Sequence, residues 1–234
     1  MGTITTPARP LLRFYFAMAI VITLVVLYGF SRTIEHGLLH PPSPVPAILF
    51  VHTFIFSAWM LLLMVQTALV QGRQVRLHRA LGMASIVLGV LLPIVGVATA
   101  LTMARFRIAH GDTGVLSFLM VPLFDMTLFA LLFGLGIAWR KRPELHKRLM
   151  FMAAAALTVA AFARFPHYLI PAGKFDLAFD ALIVIAMLRD YWVEQRVHRV
   201  FLIALPLIVA GQLLSNWVRN TPWWIEQAAR LLAQ

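Results

Sequence analysis

Residues 140–155 read RKRPELHKRLMFMAAA. Six charges and one histidine fill the first nine positions, and everything after Arg148 is apolar. Such a join between a basic loop and a greasy run marks the point where a helix enters a bilayer. Two echoes of it stand elsewhere, QVRLHRALGMA at 74–84 and EQRVHRVFLIA at 194–204. Each sets a histidine (His78, His146, His198) directly before Arg or Lys and ahead of a long apolar stretch. The separations, 68 and 52 residues, differ, so the repeat is one of topology and not of fixed period.

Composition agrees with that reading. Apolar residues make up 61% of the 234 and charged ones 12%, whereas a soluble domain is about half apolar and one quarter charged. Mean hydropathy is +0.85 and the net charge is +11. The basic residues lie between apolar runs, where membrane topology and anionic headgroups account for them, and no nucleic-acid motif is present. The chain has no cysteine. Disulfides, thiolate metal sites, iron–sulfur clusters and covalently attached c-type haem are thereby excluded. The MGTITT start fits a myristoylation pattern, but one acyl chain adds little to a protein with many spans. No small-residue cleavage site follows the first apolar run, which reads as an uncleaved anchor.

A span needs ~20 apolar residues. Seven segments qualify, near 14–30, 47–70, 80–103, 115–139, 149–170, 175–192 and 200–217. The sixth is the weakest, being short and holding Asp176, Asp180, Arg189 and Asp190. Connections are short and carry the breakers HPPSPVP, HGDTG and PAGK. The expected fold is an all-α polytopic transmembrane bundle forming one integral membrane domain over 1–234. Thirteen Lys and Arg fall on the side of the N-terminus and seven on the other. The positive-inside rule then puts the N-terminus in the cytoplasm and the C-terminus outside a bacterial inner membrane. The tail NTPWWIEQAARLLAQ is too short to span; with Thr221 as N-cap and Pro222 at the first position it reads as an interfacial helix over 222–233.

Depth sorts the histidines. His78 and His146 share the cytoplasmic level, with His198 nearby, while His52 and His167 share the outer one. Level-matched imidazoles are natural axial ligands, so His52, His78, His146 and His167 are candidate ligands of b-type haem in transmembrane electron transfer. His36, His40 and His110 fall in outer loops. A second reading makes the three His-bearing helix starts a site for a lipid phosphate or other anion, with Arg79, Lys147, His198 and Arg199 supplying it, in a non-redox accessory subunit of a larger membrane complex. A third, a metal-dependent hydrolase, lacks ligand spacing such as His-x-x-x-His, and no metal other than haem iron is expected.

Acids inside the membrane are the sharper signal. Asp125 lies about eleven residues into the fourth span, where an unpaired charge costs at least ~2.5 kcal/mol. Asp176 and Asp180 are one turn apart in the sixth span, with Arg164 at a similar depth as their expected partner. Asp125, Arg164, Asp180 and Gln66 are therefore expected to form a polar interior, with Gln66, Ser57, Thr127 or a histidine available to hydrogen-bond Asp125.

The stretches HTFIFSAWMLLLMVQTALV (52–70), LHRALG (77–82), FLMVPLFDM (118–126), RKRPELHKRLM (140–150), AFARFP (161–166) and TPWW (221–224) together resemble an uncharacterised family of bacterial polytopic membrane proteins. That resemblance implies a signature of His52, Trp59, Gln66, His78, Arg79, Asp125, His146, Lys147, Arg148 and Arg164, and brings no activity with it. More loosely, His52 and His78 on successive spans, followed by His146 and His167, are similar to the ligand scheme of di-haem transmembrane cytochromes b of the ascorbate-reducible type. That family spreads its ligands over four helices, whereas His146 and His167 stand on one.

Overall fold

The computed structural model describes residues 9–233; the MGTITT start lies outside them. Helices follow one another as α1 (Arg9–Ser31), α2 (Ile48–Gln71), α3 (Val75–Ala109), α4 (Val115–Phe118), α5 (Met120–Ala138), α6 (Pro143–Ala156), α7 (Val159–Phe162), α8 (Phe175–Glu194), α9 (Arg199–Val218) and α10 (Pro222–Ala233), with a π-helical turn at Glu35–Leu39 after α1. No strand occurs among the described residues, so the fold is the all-α bundle expected. Six segments are long and apolar enough to cross a membrane: α1, α2, α3, α4 with α5, α6 with α7, and α9. The protein is an integral membrane protein.

The remaining expected segment, the sixth in chain order, is α8, which carries too many charges to qualify by composition. It nevertheless runs the length of the bundle. Its 20 residues give ~30 Å of helix, touching α7 near one end and reaching Arg148 of α6 through Asp190 near the other. The α2–α3, α5–α6 and α8–α9 connections share one end of the bundle, the basic end.

The middle of the bundle is α6 with α7. Of that segment 72% is buried, against 28% or less of each of the other five. Ala153, Ala154, Ala155 and Ala156 are at most 1% exposed and let α1, α5, α8 and α9 close around it; without a hydrophobic force between helices in lipid, small residues are what permit that approach. Between α6 and α7 the helix tightens into a single turn of 3₁₀ type, with the Thr158 hydroxyl donating to Ala155 O at 2.6 Å. At the start of α6, Pro143 takes the first helical position, where its missing N–H is no loss. The expected span at 115–139 is divided at Leu119, because Pro122 has no N–H to offer the Phe118 carbonyl.

Close approach recurs where glycine allows it. A Cβ on Gly29 would lie 2.5 Å from the Ala161 carbonyl oxygen, so α1 lies almost on α7. Gly89 and Gly96 of α3 receive Phe133 and Met126 of α5. The 35 residues of α3 make ~53 Å, well beyond a ~30 Å hydrocarbon core. Its protruding end builds a second, small core from Ala104, Val115, Leu119 and Ala228. There α10 docks, with Thr221 as the N-cap expected: Thr221 Oγ1 accepts from the Trp224 N–H (3.2 Å), Trp224 Nε1 donates to Leu116 O (2.9 Å), and Arg105 Nε donates to Leu232 O (3.0 Å) at its last turn. Trp223 stays 62% exposed.

Candidate functional site

The three histidine-bearing entrances meet at α6, but do not converge on one point. His78 and His146 face each other with ring centroids 6.4 Å apart and planes at 71°. The sequence matched their levels; the fold also matches their rotations. His146 Nδ1 lies 2.8 Å from the Gly136 carbonyl oxygen. A carbonyl only accepts, so Nδ1 holds the proton and Nε2 keeps its lone pair. On the other side, Gln66 of α2 forms the seat of His78. Its amide nitrogen donates to the His78 carbonyl (3.2 Å) and to ring Nδ1 (2.5 Å), and its oxygen accepts from Ser85 Oγ at 2.9 Å. Nδ1 of His78 is then an acceptor, which leaves its proton on Nε2. The site is thus Gln66, His78, Ser85 and His146, held by α2, α3 and α6 with a carbonyl from α5. Gln66 belongs to this end, not beside Asp125 as expected.

Below His146 the helix surface turns to a different partner set. Arg148 is fully buried, and its guanidinium engages Asp190 (Nε to Oδ2, 2.8 Å), Glu144 (Nη1 to Oε2, 2.7 Å) and Glu194 (Nη2 to Oε1, 3.2 Å). Arg189 adds Asp190 at 3.0 Å and Glu194 at 2.8 Å. Lys147 Nζ stands 2.5 Å from Glu144 Oε2. Three cations therefore meet three carboxylates. Phe201 and Phe14 lie under Arg148 and Arg189, each 5.8 Å from the guanidinium carbon. The sequence does not show this network: Glu144 stands on α6, but Asp190 and Glu194 come from the last turn of α8, and only packing brings them to α6.

The network also disposes of a convergent anion site. Lys147 is held by Glu144, Arg79 and Arg199 are exposed on separate helices, and His198 turns back to cap α9, its Nδ1 accepting from the Val200 N–H at 3.2 Å. Burial, followed by the nearby Arg148 charge, lowers the His198 pKa. The second histidine pair is not assembled. His52 stacks on Phe56 at 4.0 Å between centroids, whereas His167 is exposed in the α7–α8 connection. His40 and His110 are exposed and bonded locally, to Glu35 and to the Phe106 carbonyl, both at 2.7 Å. In that last loop Asp112 accepts from Arg107 and from the Gly114 N–H (2.9 Å), and the Arg107 bond lowers its pKa.

At the opposite end the expected Arg164–Asp180 pair is replaced. Arg164 points to α1, donating to Thr33 Oγ1 at 3.1 Å and to its own helix at Ala160 O, with its guanidinium 4.2 Å from the Phe30 ring centroid. Asp180 instead accepts from Gln212 Nε2 of α9 at 3.0 Å. The physical reason is rotational: Arg164 follows the tight turn into α7, whose neighbour is α1. Asp125, Asp176, Gln212, Ser215, Asn216 and Arg219 line one small cavity between α5, α8 and α9. Among the described residues no three His, Asp or Glu side chains gather as a metal site. Compared with family models, curated proteins and solved structures, the chain matches none of them.

Proposed function

We propose that this membrane protein binds one b-type haem at its basic end, with His78 and His146 as the axial pair, and serves electron transfer at that face. The observation that carries the reading is the 6.4 Å separation of the two imidazoles on different helices. Two nitrogen–metal bonds of ~2 Å each and the half-width of two rings require roughly 6 Å between centroids. His146 fits an axial role as it stands, since Nδ1–H is anchored on Gly136 O and Nε2 is free. His78 would need the opposite tautomer, with the proton on Nδ1 and the lone pair on Nε2, so the Gln66 amide that now donates to Nδ1 would have to give way when the group binds. A haem held there supplies one-electron chemistry. The protein's own contribution is orientation, through the Gly136 carbonyl on His146 and the Gln66 amide on His78.

The looser similarity to di-haem cytochromes b supports the cytoplasmic half of that scheme; the separation of His52 from His167 in environment limits the proposal to one haem. The exposed Arg73, Arg76, Arg79, Arg140, Lys141, Arg142, Arg196 and Arg199 give the basic end the excess that favours the cytoplasmic side and anionic headgroups. The test is spectroscopic. Purified protein from haem-replete cells is expected to show a Soret band that shifts on reduction, with about one iron per chain, and His146→Leu is expected to abolish both. Wild-type protein without a Soret band or iron would falsify the assignment.

A further inference from the structure

The cavity between α5, α8 and α9 is unlike the network at the basic end, and its chemistry is independent of the haem assignment. Its volume is about 30 Å³, room for a water molecule or two. Gly173 and Asn216, both exposed, stand at its mouth, and Asp125 and Asp176 reach it from α5 and α8. Its polar lining is rich in acceptors that nothing satisfies. Among the described residues neither Asp125 nor Asp176 accepts a hydrogen bond from a side chain. Gln212, 8% exposed, spends its amide N–H on Asp180 and leaves its oxygen without a donor. The one cation in the lining is Arg219, whose Nε is buried without a partner; Lys174, at the start of α8, is exposed. The lining therefore holds two carboxylates, Asp125 and Asp176, to the one guanidinium, with Asp180 bonded to Gln212 beside it. In a low-dielectric bundle such an excess of carboxylates is not held ionised; close like charges share protons instead.

We propose that this cavity is a proton-binding station, in which Asp125 and Asp176 share one exchangeable proton drawn from the solvent at the Gly173–Asn216 mouth. Uptake turns one carboxylate into a carboxyl and a hydronium ion into water; release reverses it. Gln212 holds Asp180 apart by its own bond, so the α5–α8 pair is the exchanging one. The cavity is too small for an organic substrate, and its size suits water-borne protons.

Infrared titration of the whole protein in nanodiscs tests this. At neutral pH the wild type is expected to show a protonated-carboxyl stretch that disappears on alkalinisation, and Asp125→Asn and Asp176→Asn are each expected to remove about half of it or more. The amide I band reports whether each variant is folded, and if one is not, the other decides. Absence of the carboxyl stretch in wild type, or its survival in the folded variants, overturns the proposal. So does its loss at fixed pH when sodium chloride replaces choline chloride, which would make the cavity a cation site. None of these outcomes depends on whether iron is bound.

Discussion

The two ends of the bundle bury ionisable groups in opposite ways. At the basic end Arg148, Arg189 and Lys147 meet Glu144, Asp190 and Glu194 one for one, at separations of 2.5–3.2 Å. At the other end Asp125, Asp176 and Asp180 have one guanidinium, Arg219, and a glutamine between them. The same desolvation cost faces both sets. Pairing meets it in the first, which makes that network a fixed joint between α6 and α8. It is left unmet in the second, which makes those groups free to exchange protons. A charge that is satisfied holds the fold, whereas one that is not is available for chemistry.

The sharpest way to break the contrast is Arg148→Met. It leaves Asp190, which is fully buried, with Arg189 alone in a network of three carboxylates and two cations, and is expected to destabilise the protein by ~3–5 kcal/mol, read as the shift in thermal or denaturant unfolding in mild detergent. A loss below ~1 kcal/mol would show the network to be ornamental. Adding Asp190→Leu removes the surplus carboxylate and leaves Arg189–Glu194 and Lys147–Glu144 in balance. The double variant should recover at least ~2 kcal/mol of the loss, and failure to recover would place the cost in packing instead of charge.

A smaller effect is expected from His198. Burial and the neighbouring Arg148 lower its folded pKa below the ordinary value near ~6.5. The unfolded chain then binds the proton more readily, so the cap's contribution is complete above that pH and is lost as pH falls below it towards the folded value. With partial solvent screening the change should stay under ~1 kcal/mol. In His198→Asn, which keeps a capping acceptor and cannot titrate, unfolding measured across that window should lose this pH slope; an unchanged slope would assign it to another group. The smallest effect closes the comparison: Asp125→Asn should alter stability by no more than ~0.5 kcal/mol, because no ion pair depends on Asp125. A loss as large as that of Arg148→Met would mean that Asp125 has a structural partner after all.

Much of the fold was legible because bilayer physics writes itself into composition. Apolar run lengths located every crossing segment, and the charged sixth one was marked as the exception for the same reason that α8 stands apart in the structure. Thr221 and Pro222 announced α10. Histidine depth placed His78 with His146 correctly, since 1.5 Å of rise per residue converts position into level. Rotation was not available. Arg164 and Asp180 share a level yet face different neighbours, and Gln66 serves His78 instead of Asp125, because which side of a helix looks inward is set by partners distant in sequence. The Arg148 network left one signal that went unused. Arg189, Asp190 and Glu194 sit at the end of a span, close in level to Glu144 and Arg148, with opposite charges available to match.

The sequence by itself determined that the chain is helical, membrane-embedded and basic at one end, because those properties depend on local composition and segment length alone. Only the tertiary structure decided that α6 is the centre, that one histidine pair meets while the other does not, and that the buried charges are balanced at one end and unbalanced at the other. Each of those turns on helix rotation and neighbour identity, which side-chain packing fixes across residues far apart in the chain.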